Sequence, residues 1–366
     1  MLEINSCCGC LSTGRIAVDI AKDFLEENIT NRVVVAYARS FRETGIETYK
    51  IGSKVDVMIH KGMAYLFDCD GFCSYKSTKR FLKWADTYNP DIVWLHNIHG
   101  FYINVELLFK WIKSRPQMKV MWTLHDCWPF TGHCTFFTMT GCNKWMEGCE
   151  NCKFEREYPP CIFLNKSSKN YKRKRELFTG VKNMTIITPS KWLADLVKES
   201  FLKEYRVIVK YNTIDKTVFR PTYGSFVKDN GLEGKKIVLG VASPWSNRKG
   251  LNDFVKLDSI LDDSYKIVLV GIDEQKRKRL PNNILSIPRT DSREQLAEIY
   301  SAATVFVNPT YEDNYPTTNL EAEACGTIVV TYNTGGSPES VKPENVIEKG
   351  NIYDLAKRII EICEIQ

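Results

Sequence analysis

The segment Asn308 to Glu339, NPTYEDNYPTTNLEAEACGTIVVTYNTGGSPE, carries Glu312, Asp313 and Glu321 through what reads as strand, loop, helix, strand and a Gly-rich turn. A carboxylate is a strong bidentate acceptor for vicinal hydroxyls. The loop Asn314, Tyr315, Pro316, Thr317 and Thr318 leads into a helix N-terminus, where backbone N–H groups and the helix dipole favour phosphate. Glu321 therefore either binds a ligand's hydroxyls or merely caps the helix. In ASPWSNRKGL, directly after the apolar run KIVLGV, Arg248 and Lys249 offer cations for negative charge that develops during a reaction. Taken alone, such a pair is more often a solvated loop. His125 and Asp126 follow the run VMWTL, and His96 and His99 in LHNIHGFY follow DIVWL. Ligands collect at the carboxyl ends of parallel strands, so these rings either line a site or hold their own loops in place. The stretch HCTFFTMTGCNKWMEGCENC adds His133 and four thiols, Cys134, Cys142, Cys149 and Cys152. Four thiolates can wrap one structural zinc tetrahedrally, leaving no open position for catalysis. The closing C-x2-C has ligand spacing but the other gaps are irregular, so free or disulfide-prone cysteines are the competing reading.

The elements that position these residues repeat one pattern twice. In the first half, strands are expected at Arg32 to Tyr37, Asp91 to Leu95, Val120 to Leu124 and Thr185 to Thr188. Helices are expected at Ile16 to Glu27, Ser77 to Tyr88, Asn104 to Lys113, and Lys191 to Phe201 behind Ser190 as N-cap. In the second half, strands are expected at Lys236 to Val241, Tyr265 to Val270, Ile284 to Ile287, Val305 to Asn308 and Ile328 to Tyr332. Its helices are expected at Leu251 to Leu261, Ser292 to Ala302, Thr318 to Cys325 and Ile352 to Cys363. Strand-length apolar runs alternating with helical periods predict an α/β protein of two Rossmann-like domains, facing each other across a cleft. We expect residues 1–210 to form the first domain and 211–350 the second, with the helix at 351–366 packing back on the first. The boundary falls where NTIDKTVFRPT and GSFVKDNGLEG interrupt the periodicity.

Composition narrows the class. A chain of 366 residues exceeds the roughly 250 to 300 at which one core stops growing. With 43% hydrophobic and 26% charged residues it is expected to be an ordered globular protein, with disorder confined to ends and loops. No apolar run reaches the about 20 residues a membrane-spanning helix needs, and the start MLEINSCCGCLSTGR lacks a secretion signal, so we expect a cytoplasmic protein. Thirteen cysteines, an odd number, then point to thiols or metal ligands. A net charge of +6 without a nucleic-acid motif leaves nucleic acid unexpected as a partner. The cations Lys153, Arg156, Lys166, Lys169, Lys172, Arg173, Lys174 and Arg175 face only Glu155 and Glu157 within their run. That run either meets anionic lipid, peripherally on a membrane, or a phosphate-bearing acceptor, or is a solvated helix face.

The carboxyl-terminal segment resembles the signature of retaining family 4 glycosyltransferases, in which two carboxylates follow the pattern Glu-x7-Glu with the second just inside a helix. Glu321 matches the second acid; Asp313 stands in the first position, or Glu312 replaces it in a shifted loop. The resemblance implies that Glu321 accepts hydrogen bonds from ribose hydroxyls and that Asp313 lies near the transferred sugar. It further implies a cation for the donor diphosphate at Lys249. Relatives carry an Arg six residues earlier, where Ser243 stands here, so Arg248 or backbone amides take its part. NSCCGCLSTGRIAVDIA is similar to the family's opening Gly-rich loop and helix, with Gly14 as the residue that admits phosphate to the backbone. The absence of G-x-G-x-x-G disfavours a dehydrogenase site. His125 with Asp126 matches a His-Asp pair that touches the donor sugar in the family, and His96 and His99 are candidates for the acceptor side.

What the resemblance implies is transfer of a sugar from a UDP or GDP sugar to a glycan or lipid-linked acceptor, with retention, in surface polysaccharide assembly such as capsule or exopolysaccharide. It requires no catalytic metal, because Lys249, loop amides and Arg248 do a divalent ion's work. Two alternatives share the architecture: a nucleotide-sugar epimerase, which needs an acid and a base around one sugar carbon, and a non-catalytic sugar-binding or assembly protein stiffened by zinc.

Overall fold

A computed structural model describes residues 1–365 except 153–155 and 157–158. It divides into two compact units, Met1–Tyr211 and Asn212–Gln366. The first contains β1 (Leu2–Ile4), α1 (Leu11–Glu26), β2 (Val34–Tyr37), β3 (Glu47–Lys50), α2 (Lys54–Phe67) and α3 (Tyr75–Tyr88). It continues with β4 (Ile92–Leu95), α4 (Val105–Lys113), β5 (Lys119–Thr123), α5 (Ser167–Phe178), β6 (Met184–Thr188), α6 (Lys191–Glu199) and β7 (Arg206–Val209). The second unit opens with α7 (Phe226–Asp229), β8 (Lys236–Val241), α8 (Leu251–Asp258), β9 (Tyr265–Val270), α9 (Glu274–Arg277) and β10 (Leu285–Ile287). There follow α10 (Arg293–Ala302), β11 (Val305–Asn308), α11 (Thr317–Ala324), β12 (Ile328–Tyr332), β13 (Val346–Ile347) and α12 (Ile352–Ile365).

Both sheets are parallel. The first has the order β3-β2-β1-β4-β5-β6-β7 and the second β10-β9-β8-β11-β12-β13. Each order reverses beside the unit's first strand: Leu2 lies between Val34 and Val93, and Val238 between Ile267 and Val305. Successive strand residues point to opposite faces, and helices cover both. Val238 thus joins Phe254, Leu355 and Ile359 in one core, while its neighbour Leu239 joins Tyr300, Phe306 and Ala322 in another. In the first unit Val93 and Leu95 pack with Phe109, Trp122 and Phe178, and Trp94 between them packs with Val18 and Val35.

The expectation that residues 351–366 return to the first domain is corrected here. The apolar stripe of α12, namely Leu355, Ala356, Ile359, Ile362 and Cys363, is buried in the core of the second unit. Ser190 does cap α6, its side chain accepting from the Leu193 N–H at 3.1 Å.

Candidate active site

The second unit's sheet reverses order between β8 and β11, the place where open parallel sheets bind ligands. The loop after β8 brings Arg248 and Lys249; the loop after β11 brings Glu312 and Asp313. The backbone knits these loops together. Tyr311 N–H donates to the Arg248 carbonyl at 2.7 Å, and the Thr310 hydroxyl donates to the same oxygen at 3.2 Å. A side chain on Gly250 would meet the Pro309 carbonyl oxygen at 2.1 Å, and one on Gly335 would meet the Asp313 carbonyl oxygen at 2.0 Å. Both glycines also have positive φ, so any other residue there is strained twice over.

Within this frame the Lys249 ammonium pairs with the Asp313 carboxylate. Burial alone would raise the Asp313 carboxyl, but the charges of Lys249 and Arg248 outweigh it and hold the group below its ordinary value. Arg248 donates through its guanidinium to the Glu312 carbonyl. Of the two candidates for the first acidic position, Asp313 is thus the one opposed to the cation, while the Glu312 side chain is buried.

Helix α11 begins at Thr317 behind Pro316 as its N-cap, so Glu321 is a mid-helix residue and not the cap. Its carboxylate is buried and accepts from the Tyr300 hydroxyl at 3.1 Å. Burial, with the Glu321 charge added, pushes the Tyr300 phenol well up, so the phenol stays a donor. Asn319, one turn into α11, accepts from Asn308 at 2.8 Å and donates to Ser337 at 3.2 Å and Ser340 at 3.0 Å. These bonds lock the helix start against β11 and the turn after β12. The Tyr315 carbonyl accepts from Asn212 at 3.0 Å. Asn314, Tyr315, Thr317 and Thr318 lie in the stretch where loop becomes helix, where helical N–H groups lack intrahelical partners.

The first unit reverses order between β1 and β4, and a second polar cluster sits there. Glu3, buried inside β1, lies 3.2 Å from His96 Nε2; His96 Nδ1 lies 3.1 Å from His125 Nε2. Burial raises the Glu3 carboxyl well above its ordinary value and lowers His96 well below its own, His125 adding to the latter. Burial likewise pushes His125 down to about 4. With the Glu3 carboxyl raised and both rings lowered, the three groups form one continuous run of polar contacts that favours their uncharged forms. Next to it, His99 Nε2 pairs with Asp126 at 2.9 Å. Burial works against both charges, yet each partner outweighs it: His99 is raised and Asp126 lowered, which makes an ion pair. Asp126 also accepts from the Trp128 N–H at 3.0 Å, the His99 ring stacks on Trp128 at 5.1 Å, and His99 Nδ1 is buried with no hydrogen-bond partner.

The remaining sequence candidates are placed as follows. Gly14 lies in the first turn of α1 at a close approach, where a side chain would meet the Cys7 sulfur at 2.9 Å. Its smallness lets helix and loop pack. Cys134, Cys142, Cys149 and Cys152 line one cavity of about 380 Å³ with His133 and Trp145. Cys149 accepts from the Gly132 N–H at 3.2 Å, and His133 pairs with Asp68 at 2.6 Å. Among the described residues no three His, Cys, Asp or Glu side chains stand together as a metal-holding group, and none of the thirteen cysteines is in a disulfide. Of the basic run, Lys153, Glu155 and Glu157 lie outside the described residues. Lys174 is no part of a solvated face. It is buried, donates to the Trp128 and Thr131 carbonyls at 2.8 and 3.1 Å, and is pushed down to about 7 by burial. Glu3 and Tyr300 escaped the sequence reading; an acid inside an apolar strand at Glu3 was the available signal.

Comparison with known proteins bears on this geometry. Residues 225–366 match the family model described as glycosyl transferases group 1. The matched stretch lies within the second unit. It is 25% identical over 191 residues, 49% of this chain and 46% of the relative, to the Escherichia coli protein named "Putative colanic acid biosynthesis glycosyl transferase WcaC". It is 27% identical over 159 residues, 40% of this chain and 42% of the relative, to the N,N'-diacetylbacillosaminyl-diphospho-undecaprenol alpha-1,3-N-acetylgalactosaminyltransferase of Campylobacter jejuni. The chain thus spans less than half the length of these curated relatives. The solved structure of Anabaena Alr3699/HepE in complex with UDP matches over 99% of this chain and 89% of its own, with a TM-score of 0.66 and 12% identity. That likeness, shared with other GT-B glycosyltransferases, gives the fold: two parallel-sheet α/β domains of the GT-B type.

Proposed function

We propose that the protein is a glycosyltransferase that moves a sugar from a nucleoside diphosphate sugar, carrying UDP or GDP, to a glycan or lipid-linked acceptor in surface polysaccharide assembly. The observation that carries the reading is the Lys249–Asp313 pair at the second unit's switch point, next to the N-terminus of α11 and to Glu321 within it. The names of the relatives, one in colanic acid biosynthesis and one acting on a diphospho-undecaprenol, support the pathway class. The neighbour solved with UDP supports the donor class.

In the proposed reaction the bond from the anomeric carbon to the diphosphate oxygen breaks as the acceptor oxygen bonds to the same carbon. The acceptor's proton passes to the leaving phosphate oxygen, and configuration is retained. Lys249 and the α11 N–H groups bear the growing charge on the diphosphate. Glu321, oriented by Tyr300, accepts from the ribose hydroxyls, and Asp313 faces the sugar. The test is calorimetry against UDP, GDP and their sugars with a chelator present. Micromolar binding of one nucleotide, lost in Glu321→Ala, supports the reading; a protein that binds none of them is not this enzyme.

A further inference from the structure

Helix α2 is apolar on a face that none of the described residues buries. His60 and Ala64 carry its inner face into the first unit. On the opposite side Val55, Met58, Ile59, Met63 and Leu66 are exposed, with Met58 at 71% and Ile59 at 61%. At about 100° per residue these positions, with the exposed Gly62, form one stripe along the whole helix. A second apolar element adjoins it. Ile162 N–H donates to the Tyr65 carbonyl at 2.8 Å, setting the exposed Ile162, Phe163 and Leu164 beside the carboxyl end of α2, with Phe163 at 75%. Asp68 fastens the two pieces into one platform. It is the C-cap of α2, and it accepts from the Lys166 N–H at 2.9 Å, from the Asn170 amide through its carbonyl at 2.6 Å, and pairs with His133.

The rim of this platform is basic. Lys54 and Lys61 lie on one flank of the helix, and the Lys61 ammonium sits 5.3 Å from the Tyr65 ring. Lys166 reaches over the Phe67 ring at 5.5 Å. Lys166, Lys169, Lys172 and Arg173 line an open hollow of about 610 Å³, with Glu150 and Glu176 as its acids. Arg173 is partly neutralised by Glu106 at 2.8 Å, and Asp56, the acid on α2, is spent in the capping box with Ser53.

We propose that α2 with Ile162–Leu164 is a membrane-docking surface that takes a bilayer bearing anionic lipid. The apolar side chains are exposed along one helix face and the adjoining segment, as insertion into an acyl boundary requires. The cations around them complement anionic headgroups. A single weak signal holds a protein to a membrane only marginally, whereas an apolar face combined with a basic patch holds it stably. This inference does not depend on the glycosyltransferase reading.

The experiment is co-sedimentation of the full chain with vesicles of phosphatidylcholine alone or mixed with phosphatidylglycerol, at low and high salt. The expected result is binding to the mixed vesicles, weakened by salt. Ile59→Asp with Phe163→Asp is expected to lower it at least about tenfold, and Lys169→Glu with Lys172→Glu to lower it and abolish the salt effect. Both pairs are exposed, and unchanged thermal melts show that the fold is kept. Equal sedimentation of the wild type with and without phosphatidylglycerol overturns the proposal, as does binding that both variants retain. A dimer that Ile59→Asp dissociates assigns the face to a second copy and overturns it as well. Nucleotide calorimetry on the same samples keeps a failure here distinct from a failure of the donor site.

Discussion

The two units use the same strand reversal to hold polar groups in different electrostatic states, a charged pair in the second and, in the first, a neutral chain beside the His99–Asp126 ion pair. In the second, Lys249 and Asp313 keep opposite charges and lower the Asp313 carboxyl. In the first, Glu3, His96 and His125 are held uncharged, since burial raises the acid and lowers both rings. A charged pair suits a ligand that brings a diphosphate, whereas a neutral chain suits hydrogen bonding to hydroxyls, where a fixed charge would cost desolvation without a partner. Topology places a polar cluster at each switch point; the neighbouring side chains decide what state the cluster is in.

Substitutions can break that contrast. Glu321→Ala is expected to have the largest effect, removing charge-assisted bonds of about 3 kcal/mol in all and weakening donor binding roughly 100-fold by calorimetry. Lys249→Ala comes next. It should weaken binding of the nucleoside diphosphate about tenfold and let the Asp313 carboxyl rise, which titration followed by NMR reads directly. Binding unchanged in both variants would remove the donor site from the second unit.

The neutral chain makes a pH prediction. The His125 ring has a folded value of about 4 against an ordinary 6.5. Between those values the unfolded chain takes up a proton that the folded chain refuses, so this ring's contribution to stability is complete above 6.5 and drains away as pH falls toward 4. His125→Gln is therefore expected to flatten the melting temperature across that window by roughly 7 to 14 °C; an unchanged slope would mean that the ring is charged in the folded state. Glu3→Gln should have the smallest effect. An amide mimics a protonated carboxyl, so stability to urea should change by less than about 1 kcal/mol; a larger loss would show that Glu3 is ionised and that the two units are alike.

Much of the fold was legible. Lys236 to Val241, Tyr265 to Val270, Val305 to Asn308 and Ile328 to Tyr332 are strands as expected, because a parallel strand covered on both faces is a near-continuous apolar run. Among the elements not foreseen, β7 (RVIV) fits that pattern, but three others break it. β1 is three residues long with Glu3 in its middle, β3 reads ETYK at the sheet edge, and α5 reads SSKNYKRKRELF, too polar to show an inward stripe. The fate of α12 was equally out of reach, since an apolar stripe reports that a helix packs but not against what.

What the sequence determined by itself is the alternation of strands and helices, the division near Tyr211, and the residue types at the strand ends, all of which follow from local hydrophobic period and loop chemistry. Only the tertiary structure decided that Asp313 opposes Lys249, that Glu321 answers to Tyr300 21 residues away, and that Glu3 reaches His96 across 93. It also decided that Lys174, one cation among many in the sequence, is buried and drawn toward neutrality, while the apolar stripe of α2 is left to solvent. Charge state and exposure depend on the dielectric and the neighbours that distant segments supply, and those exist only once the sheets have assembled.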